Sequence, residues 1–250
     1  MTGVYEKFAS IYERAGYNEF SAGVARLLPK IIRQFGVQSK SLLDIACGDG
    51  TFSVAMASRG YRVTGIDRSA QMLDLARERA RRTGSSIHFA RNDMRALKFD
   101  NEFDIVTCWY DSLNYLQNIP DLRKTFAGVS RALRPGGLFI FDMNTVRALS
   151  YYWVRNPSDL IRDDASLFIL HRSTYDPTRR VATLQVTAFE KSGRLWERVD
   201  ESHQERAYPL PTIRRCLKAA NLRERACWGS IRTRSPPHRF TRRVWFVVER

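Results

Sequence analysis

The stretch Leu42-Leu43-Asp44-Ile45-Ala46-Cys47-Gly48-Asp49-Gly50-Thr51 joins an apolar run to a carboxylate and a Gly-x-Gly turn, and a helix-forming segment follows. A glycine turn between strand and helix offers backbone N–H groups to a nucleotide-type ligand at the carboxyl end of a parallel strand. The acids discriminate among such ligands. Helix-terminal N–H groups attract a pyrophosphate, yet here it would meet both Asp44 and Asp49, and Ser53 stands where a dinucleotide pattern has its third glycine. The turn suits a ligand with an adenosine and a cationic end, as in S-adenosylmethionine with its ammonium and sulfonium.

Asp67 follows Gly48 by 19 residues, at the end of the next apolar run. An acid there accepts hydrogen bonds from two ribose hydroxyls; the structural alternative is a helix cap. Asn92-Asp93-Met94 follows a third run. A carboxylate at that point can accept from the exocyclic amine of adenine, with Met72 and Met94 on either side of the ring. The plainer alternative makes Asp93 a turn residue and both methionines core filler. After a fourth run come Trp109, Tyr110, Asp111, Asn114 and Tyr115, at the sheet end where acceptor sites form. Asp111 is suited to binding an amine, to acting as a base, or to capping a short helix. His203, Arg206 and Tyr208 lie on a late strand; in a regular strand His203 and Arg206 point to opposite faces. His88, His171 and His238 have no pattern that recommends them.

The elements that must position these residues follow from periodicity. The first 38 residues read as helices: Tyr5, Phe8, Ala9 and Tyr12 recur at helical spacing, and a second amphipathic segment covers about Ser21 to Phe35. Strands are expected at Ser41–Ile45, Arg62–Ile66, Ile87–Ala90, Phe103–Cys108 and Leu138–Asp142. Helices are expected at Gly50–Ser58, Ala70–Arg82 with Ser69 as N-cap, and about Asp121–Leu133. Arg134-Pro135-Gly136-Gly137 reads as a turn. This alternation argues an α/β fold: a Rossmann-like, doubly wound, mostly parallel sheet of seven strands. Leu167–Tyr175, Val181–Glu190 and Leu195–Arg206 then form an antiparallel meander, before a helix at Pro211–Ala220 and a last strand at Val244–Val248. The organisation expected is one domain of 250 residues: a helical cap over 1–38, a ligand-binding core over 39–149, a β insertion or lid over 150–208, and a return to the sheet over 209–250.

Composition bounds the function. The start of the chain lacks an apolar signal-peptide core, and nowhere do eighteen apolar residues run together, so no membrane span is expected. The four cysteines show no ligand spacing, which reads as reduced thiols in a cytoplasmic protein without a metal site. The net charge is +15, and residues 201–250 carry 12 Arg or Lys against 4 acids. That surplus admits a nucleic-acid partner, although no dense basic block with interleaved aromatics appears. Trp109-Tyr110-Asp111-Ser112 is not the Asn/Asp-Pro-Pro-aromatic segment used on nucleobase amines, and Cys108 follows Thr107 rather than the proline of a C5-methylating site.

Leu42–Thr51, Gly65-Ile66-Asp67, Asn92-Asp93-Met94, Phe103-Asp104-Ile105-Val106 and Leu133-Arg134-Pro135-Gly136-Gly137 occur in order over residues 40–145. Together they resemble the motif series of class I S-adenosylmethionine-dependent methyltransferases. Tyr5-x-x-Phe8-Ala9-x-x-Tyr12, Asp111-Ser112-Leu113-Asn114-Tyr115 and Glu201-x-His203-x-Glu205-Arg206-x-Tyr208 resemble a small-molecule subgroup with a β insertion after the fifth strand. The resemblance implies S-adenosylmethionine as methyl donor and S-adenosylhomocysteine as product. Donor contacts would come from Tyr12, Asp44, Ala46, Cys47, Gly48, Asp49, Gly50, Asp67, Arg68, Met72, Asn92, Asp93, Met94 and Trp109. Tyr5, Asn114, Tyr115, Arg206 and Tyr208 would hold the acceptor, and Asp111, Tyr110 and His203 would serve the chemistry. The expected activity is methyl transfer by in-line displacement to a nitrogen or oxygen of a small molecule, with a homodimer allowed. The rivals are an RNA or protein methyltransferase, favoured by charge, and a donor-binding module without catalysis.

Overall fold

Buried strands with helices on both faces carry continuous apolar runs, and β1 (Ser41–Ile45) is buried at every position. The computed structural model describes residues 8–156 and 158–250. Around β1 lie β2 (Arg62–Asp67), β3 (His88–Arg91), β4 (Phe103–Cys108) and β5 (Leu133–Asn144). The order is β10-β11-β5-β4-β1-β2-β3, with β10 (Arg223–Trp228) and β11 (Arg243–Glu249) closing one edge. β11 alone runs antiparallel to its neighbours. The doubly wound, seven-stranded sheet is thus present. The chain reverses its direction of travel between β1 and β4, and a crevice opens at their carboxyl ends, as such a switch point requires.

Helices cover both faces. α2 (Asn18–Gln34) buries Val24, Leu28, Ile31 and Ile32, and α3 (Thr51–Ala57) buries Phe52 and Met56. They join Leu42, Ile105, Ile140 and Val247 on one face. On the other, α5 (Ile119–Ala132) and α7 (Leu210–Ala219) pack Leu122, Phe126, Ile213 and Leu217 against Leu43, Val106, Phe139 and Phe246. α4 (Ala70–Thr83) starts where the Ser69 hydroxyl accepts the Met72 N–H and stops at Gly84, whose φ of +64° ends the helix. Among the described residues no helix is long and apolar enough to cross a membrane.

The antiparallel insertion has four strands, not three: β6 (Ser158–Asp163), β7 (Leu167–Asp176), β8 (Val181–Ser192) and β9 (Leu195–Arg206). β6 is exposed at every position and β10 at its first three, so neither shows an alternating apolar face. Gly136 adopts a φ of +76°, but the expected turn is absorbed into β5 as an irregularity: Phe103 pairs with Leu133 and Ile105 with Leu138. A short α6 (Trp153–Arg155) leads into the insertion. Near the start of the chain, α1 spans only Ala9–Tyr12; Tyr5 lies outside the described residues. Phe8, Ile11 and Tyr12 are pressed between Met72 of α4 and Leu167, Ile169, Val186 and Ala188 of the insertion.

Candidate active site

The crevice beyond β1 and β4 is a cavity of about 420 Å³, within the range of small-molecule sites. Tyr12, Asp44, Ala46, Cys47, Gly48, Asp49, Asp67, Arg68, Met72, Asn92, Asp93, Met94 and Trp109 all line it. Gly50 does not. It is the left-handed N-cap of α3 (φ +73°), and an added Cβ would stand 2.8 Å from the Ala76 Cβ, so its glycine serves the close passage of α4.

The acids on this wall are each held by a neighbour. Asp44, fully buried at the end of β1, accepts from the Ser53 hydroxyl at 2.6 Å and the Thr107 hydroxyl at 3.0 Å. Burial pushes its carboxyl up to about 7. Asp67 accepts the Gly48 N–H through Oδ2 and the Ser69 N–H through Oδ1, both at 2.9 Å. It therefore holds the glycine turn as well as facing the cavity, and burial raises its carboxyl too. Asp49 caps Thr51 and pairs with Arg79 at 2.7 Å. That cation offsets one of the two charges counted against a pyrophosphate, so Asp44 and Asp67 carry the exclusion. Asp93 caps a 3₁₀ turn, as its turn-residue reading expects, and its bond with the Arg95 guanidinium holds its carboxyl below the usual range.

After β4 the backbone is strained. Tyr110 and Asp111 are consecutive non-glycine residues with φ of +54° and +55°, a conformation that persists only where the surroundings enforce it. Asp142 of β5 does so, accepting the Tyr110 N–H at 2.8 Å and the Asp111 N–H at 3.1 Å. Burial pushes Asp142 up to about 6, opposed by Arg243, which is ion-paired to it. The Asp111 side chain makes no helix cap; it accepts from Arg243 at 3.3 Å and from the Asn144 amide. The Trp109 indole N–H, buried on the cavity wall, has no partner among the described residues. An orphan donor there fits a ligand with an acceptor group, such as the carboxylate of an amino-acid end.

A second cavity of about 110 Å³ shares Tyr12, Tyr110 and Tyr115 with the first. Phe8, Tyr17, Asp111, His171, Leu184, Val186, His203 and Glu205 complete it. His203 and Glu205 occupy the buried face of β9, and Tyr115 bonds the His203 Nδ1 at 3.0 Å. Tyr17 bonds the His171 Nε2 at 2.6 Å. Burial holds both imidazoles down near 4, hence neutral, and keeps the Tyr110 phenol well above its ordinary value, so Tyr110 can donate but is not a base.

Three residues expected at the acceptor line neither cavity. Asn114 is fully buried, its amide donating to the Asn144 and Arg206 carbonyls while its oxygen accepts the Asn144 N–H. Arg206 donates to the Gln117 carbonyl, and the Tyr208 hydroxyl to those of Leu116 and Asn118. They stitch the exit of the insertion to the loop after β4. No local pattern marks His171, Leu184 and Val186, which the pairing of β7 with β8 brings in, or Tyr17, which enters from the start of α2. Glu205, two residues after His203, shares its buried strand face. Burial pushes the Cys47 and Cys108 thiols well up, so neither is a ready nucleophile.

The family described as "Methyltransferase domain" matches residues 42–137. "Putative methyltransferase YqeM" of Bacillus subtilis (strain 168) is 31% identical over 86% of this chain and 85% of its own length. A "Ubiquinone biosynthesis O-methyltransferase" of Coxiella burnetii (strain RSA 331 / Henzerling II) is 27% identical over 67% of this chain and 68% of its own. Among solved structures, an S-adenosylmethionine-dependent methyltransferase from Clostridium acetobutylicum ATCC 824 superposes with a TM-score of 0.87 at 28% identity, covering 98% of both chains.

Proposed function

The chain belongs to the class I S-adenosylmethionine-dependent methyltransferases, and from that premise we propose that it methylates a nitrogen or oxygen atom of a small-molecule acceptor seated in the smaller cavity. The observation that carries this reading is the wall of Tyr12, Tyr110 and Tyr115 common to both cavities. A donor in the larger one and an acceptor in the smaller one would meet across it. One relative is named for O-methylation in ubiquinone biosynthesis, which supports a small acceptor.

In the larger cavity Asp44 and the N–H groups near Gly48 would hold the amino-acid end of the donor, joined by the Trp109 indole. Asp67 would take the ribose, and Asn92, Asp93, Met72 and Met94 the adenine. Bound there, the donor supplies a methyl carbon on a cationic sulfur. The protein aligns an acceptor lone pair opposite that sulfur for in-line displacement, and positioning of this kind is worth about 7–11 kcal/mol of barrier. An acceptor that arrives protonated, or is a hydroxyl, also needs a base; Asp111 and neutral His203 face the smaller cavity. Phe8, just before α1, and Leu184 and Val186 of the insertion supply its apolar wall.

Basic charge is what favours the RNA rival; of the twelve cations over residues 201–250, Arg214, Arg223, Arg225 and Arg243 are ion-paired within the protein. Incubation of the protein with methyl-labelled donor and with separated small-molecule and RNA fractions of the source organism tests the proposal. Label should enter the small-molecule fraction; label in RNA alone would overturn it.

A further inference from the structure

The inner end of the smaller cavity holds more acid than base. The carboxyls of Asp111 and Glu205, 7% and 3% exposed, lie against one and the same side-chain amide. The Asn144 amide donates to both, reaching Glu205 Oε2 at 2.8 Å. Two carboxyls this close share one proton rather than both ionising. Burial and the charge of Asp111 push the Glu205 carboxyl well up, so the proton rests mainly there. Asp142 of β5 is a third carboxyl behind the pair. Against these three stands one cation among the described residues, Arg243 of β11, which pairs with Asp111 and Asp142. From the insertion, His171 and His203 face the cavity as neutral rings, with Glu201 at 3.3 Å on the far nitrogen of His203.

The charges can be summed. With one proton held between Asp111 and Glu205, these three carboxyls and Arg243 leave a formal −1 among the described residues beside the half-open cavity, before Glu201 is counted. A buried surplus charge is costly unless a counter-charge answers it. Five aromatic rings, Phe8, Tyr12, Tyr17, Tyr110 and Tyr115, make up most of the remaining wall, with Leu184 and Val186. Ring faces attract cations, and the combination selects a ligand of charge +1 over a neutral one of the same shape.

We propose that the acceptor is an amine, that it enters as the ammonium ion paired with the Asp111–Glu205 carboxyls, and that this pair receives its proton. The proposal rests on the methyltransferase reading of the site. The proton balance closes: one N–H bond breaks, one O–H bond forms, and the electron pair stays on nitrogen. The carboxyl pair passes from one proton to two and the ligand from +1 to neutral, leaving the lone pair that methylation needs.

The test uses the full chain loaded with S-adenosylhomocysteine, titrated by calorimetry at pH 7.5 with benzylamine and benzyl alcohol, which differ in charge and little in shape. Benzylamine should bind at least tenfold more tightly. Asp111→Asn and Glu205→Gln each leave one carboxyl to carry the charge, so each should cost less than threefold in benzylamine affinity. The double variant has neither and should lose more than tenfold, a non-additive pattern that a packing role would not produce. Unchanged affinity of the double variant for S-adenosylhomocysteine shows that fold and donor site are intact. Equal affinity for the alcohol and the amine, no benzylamine binding by the loaded protein, or additive losses would each overturn the proposal. Failure of the unmodified chain to bind S-adenosylhomocysteine would instead sink the methyltransferase reading.

Discussion

The two cavities share three tyrosines yet are assembled by opposite means. The larger takes most of its wall from the ends of β1, β2, β3 and β4, between Asp44 and Asp121, with Tyr12 and Ser21 from the helical cap. The smaller draws on four distant segments: Phe8 to Tyr17, Tyr110 to Tyr115, His171 to Val186, and His203 with Glu205. Their acids differ as well. Asp44, Asp49, Asp67 and Asp93 each have hydroxyl, N–H or arginine partners of their own, whereas Asp111 and Glu205 draw on one shared amide, that of Asn144. Sheet topology dictates the first cavity, and an insertion that can vary independently shapes the second. In such a layout acceptor preference can change while the donor site stays as it is.

The largest effect should come from Asp67→Ala, which removes the expected ribose acceptor and loosens the Gly48 turn together. With hydrogen bonds to a charged group at about 1.5–3 kcal/mol each, donor affinity should fall by about 3 kcal/mol, roughly a hundredfold. Calorimetry with S-adenosylhomocysteine measures it, and an unchanged affinity would undo the ribose role. Next comes a matched pair of glycines. Gly50→Ala places a Cβ 2.8 Å from Ala76 at a φ of +73°, and should lower stability by about 2–3 kcal/mol in urea unfolding. Gly193→Ala, at the open β8–β9 turn with nothing within 4 Å, should cost about 1 kcal/mol, the backbone strain alone. Equal losses would contradict the close passage of α4.

How much of this was readable from the chain follows the same division. Asp44, Asp67 and Asp93 were legible because strand ends and glycine turns are local patterns, and the switch point brings them together whatever surrounds them. Gly50 packs against α4 rather than lining the cavity, because spacing does not distinguish a glycine that faces a ligand from one that admits a neighbouring helix. Asn114, Arg206 and Tyr208 look like ligand-binding types, but buried carbonyls at the loop after β4 need donors, and these residues supply them. Tyr17 and His171 were invisible because only the register of β7, 154 residues away, joins them. Strands β6 and β10 escaped notice because their exposed Arg, Asp and Glu positions erase the alternation of a half-buried strand.

Smaller effects sharpen the contrast further. Asp44 titrates near 7 because it is buried, so its protonated form prevails below that pH and no longer attracts the ammonium of the ligand. Affinity for S-adenosylhomocysteine should fall about tenfold from pH 8 to pH 6. Asp44→Asn should be weaker throughout and flat over that range; a flat profile for the unmodified protein would remove Asp44 from the contact. Tyr208→Phe should cost only about 1 kcal/mol of stability through its lost bonds to the Leu116 and Asn118 carbonyls, with donor affinity kept within about twofold.

The most direct measurement is a crystal structure of the complex with S-adenosylhomocysteine. It should show the ribose hydroxyls on Asp67, the adenine between Met72 and Met94, and the sulfur facing the wall of Tyr12, Tyr110 and Tyr115. A nucleoside lodged elsewhere, or a sulfur turned away from the smaller cavity, would contradict the two-cavity account.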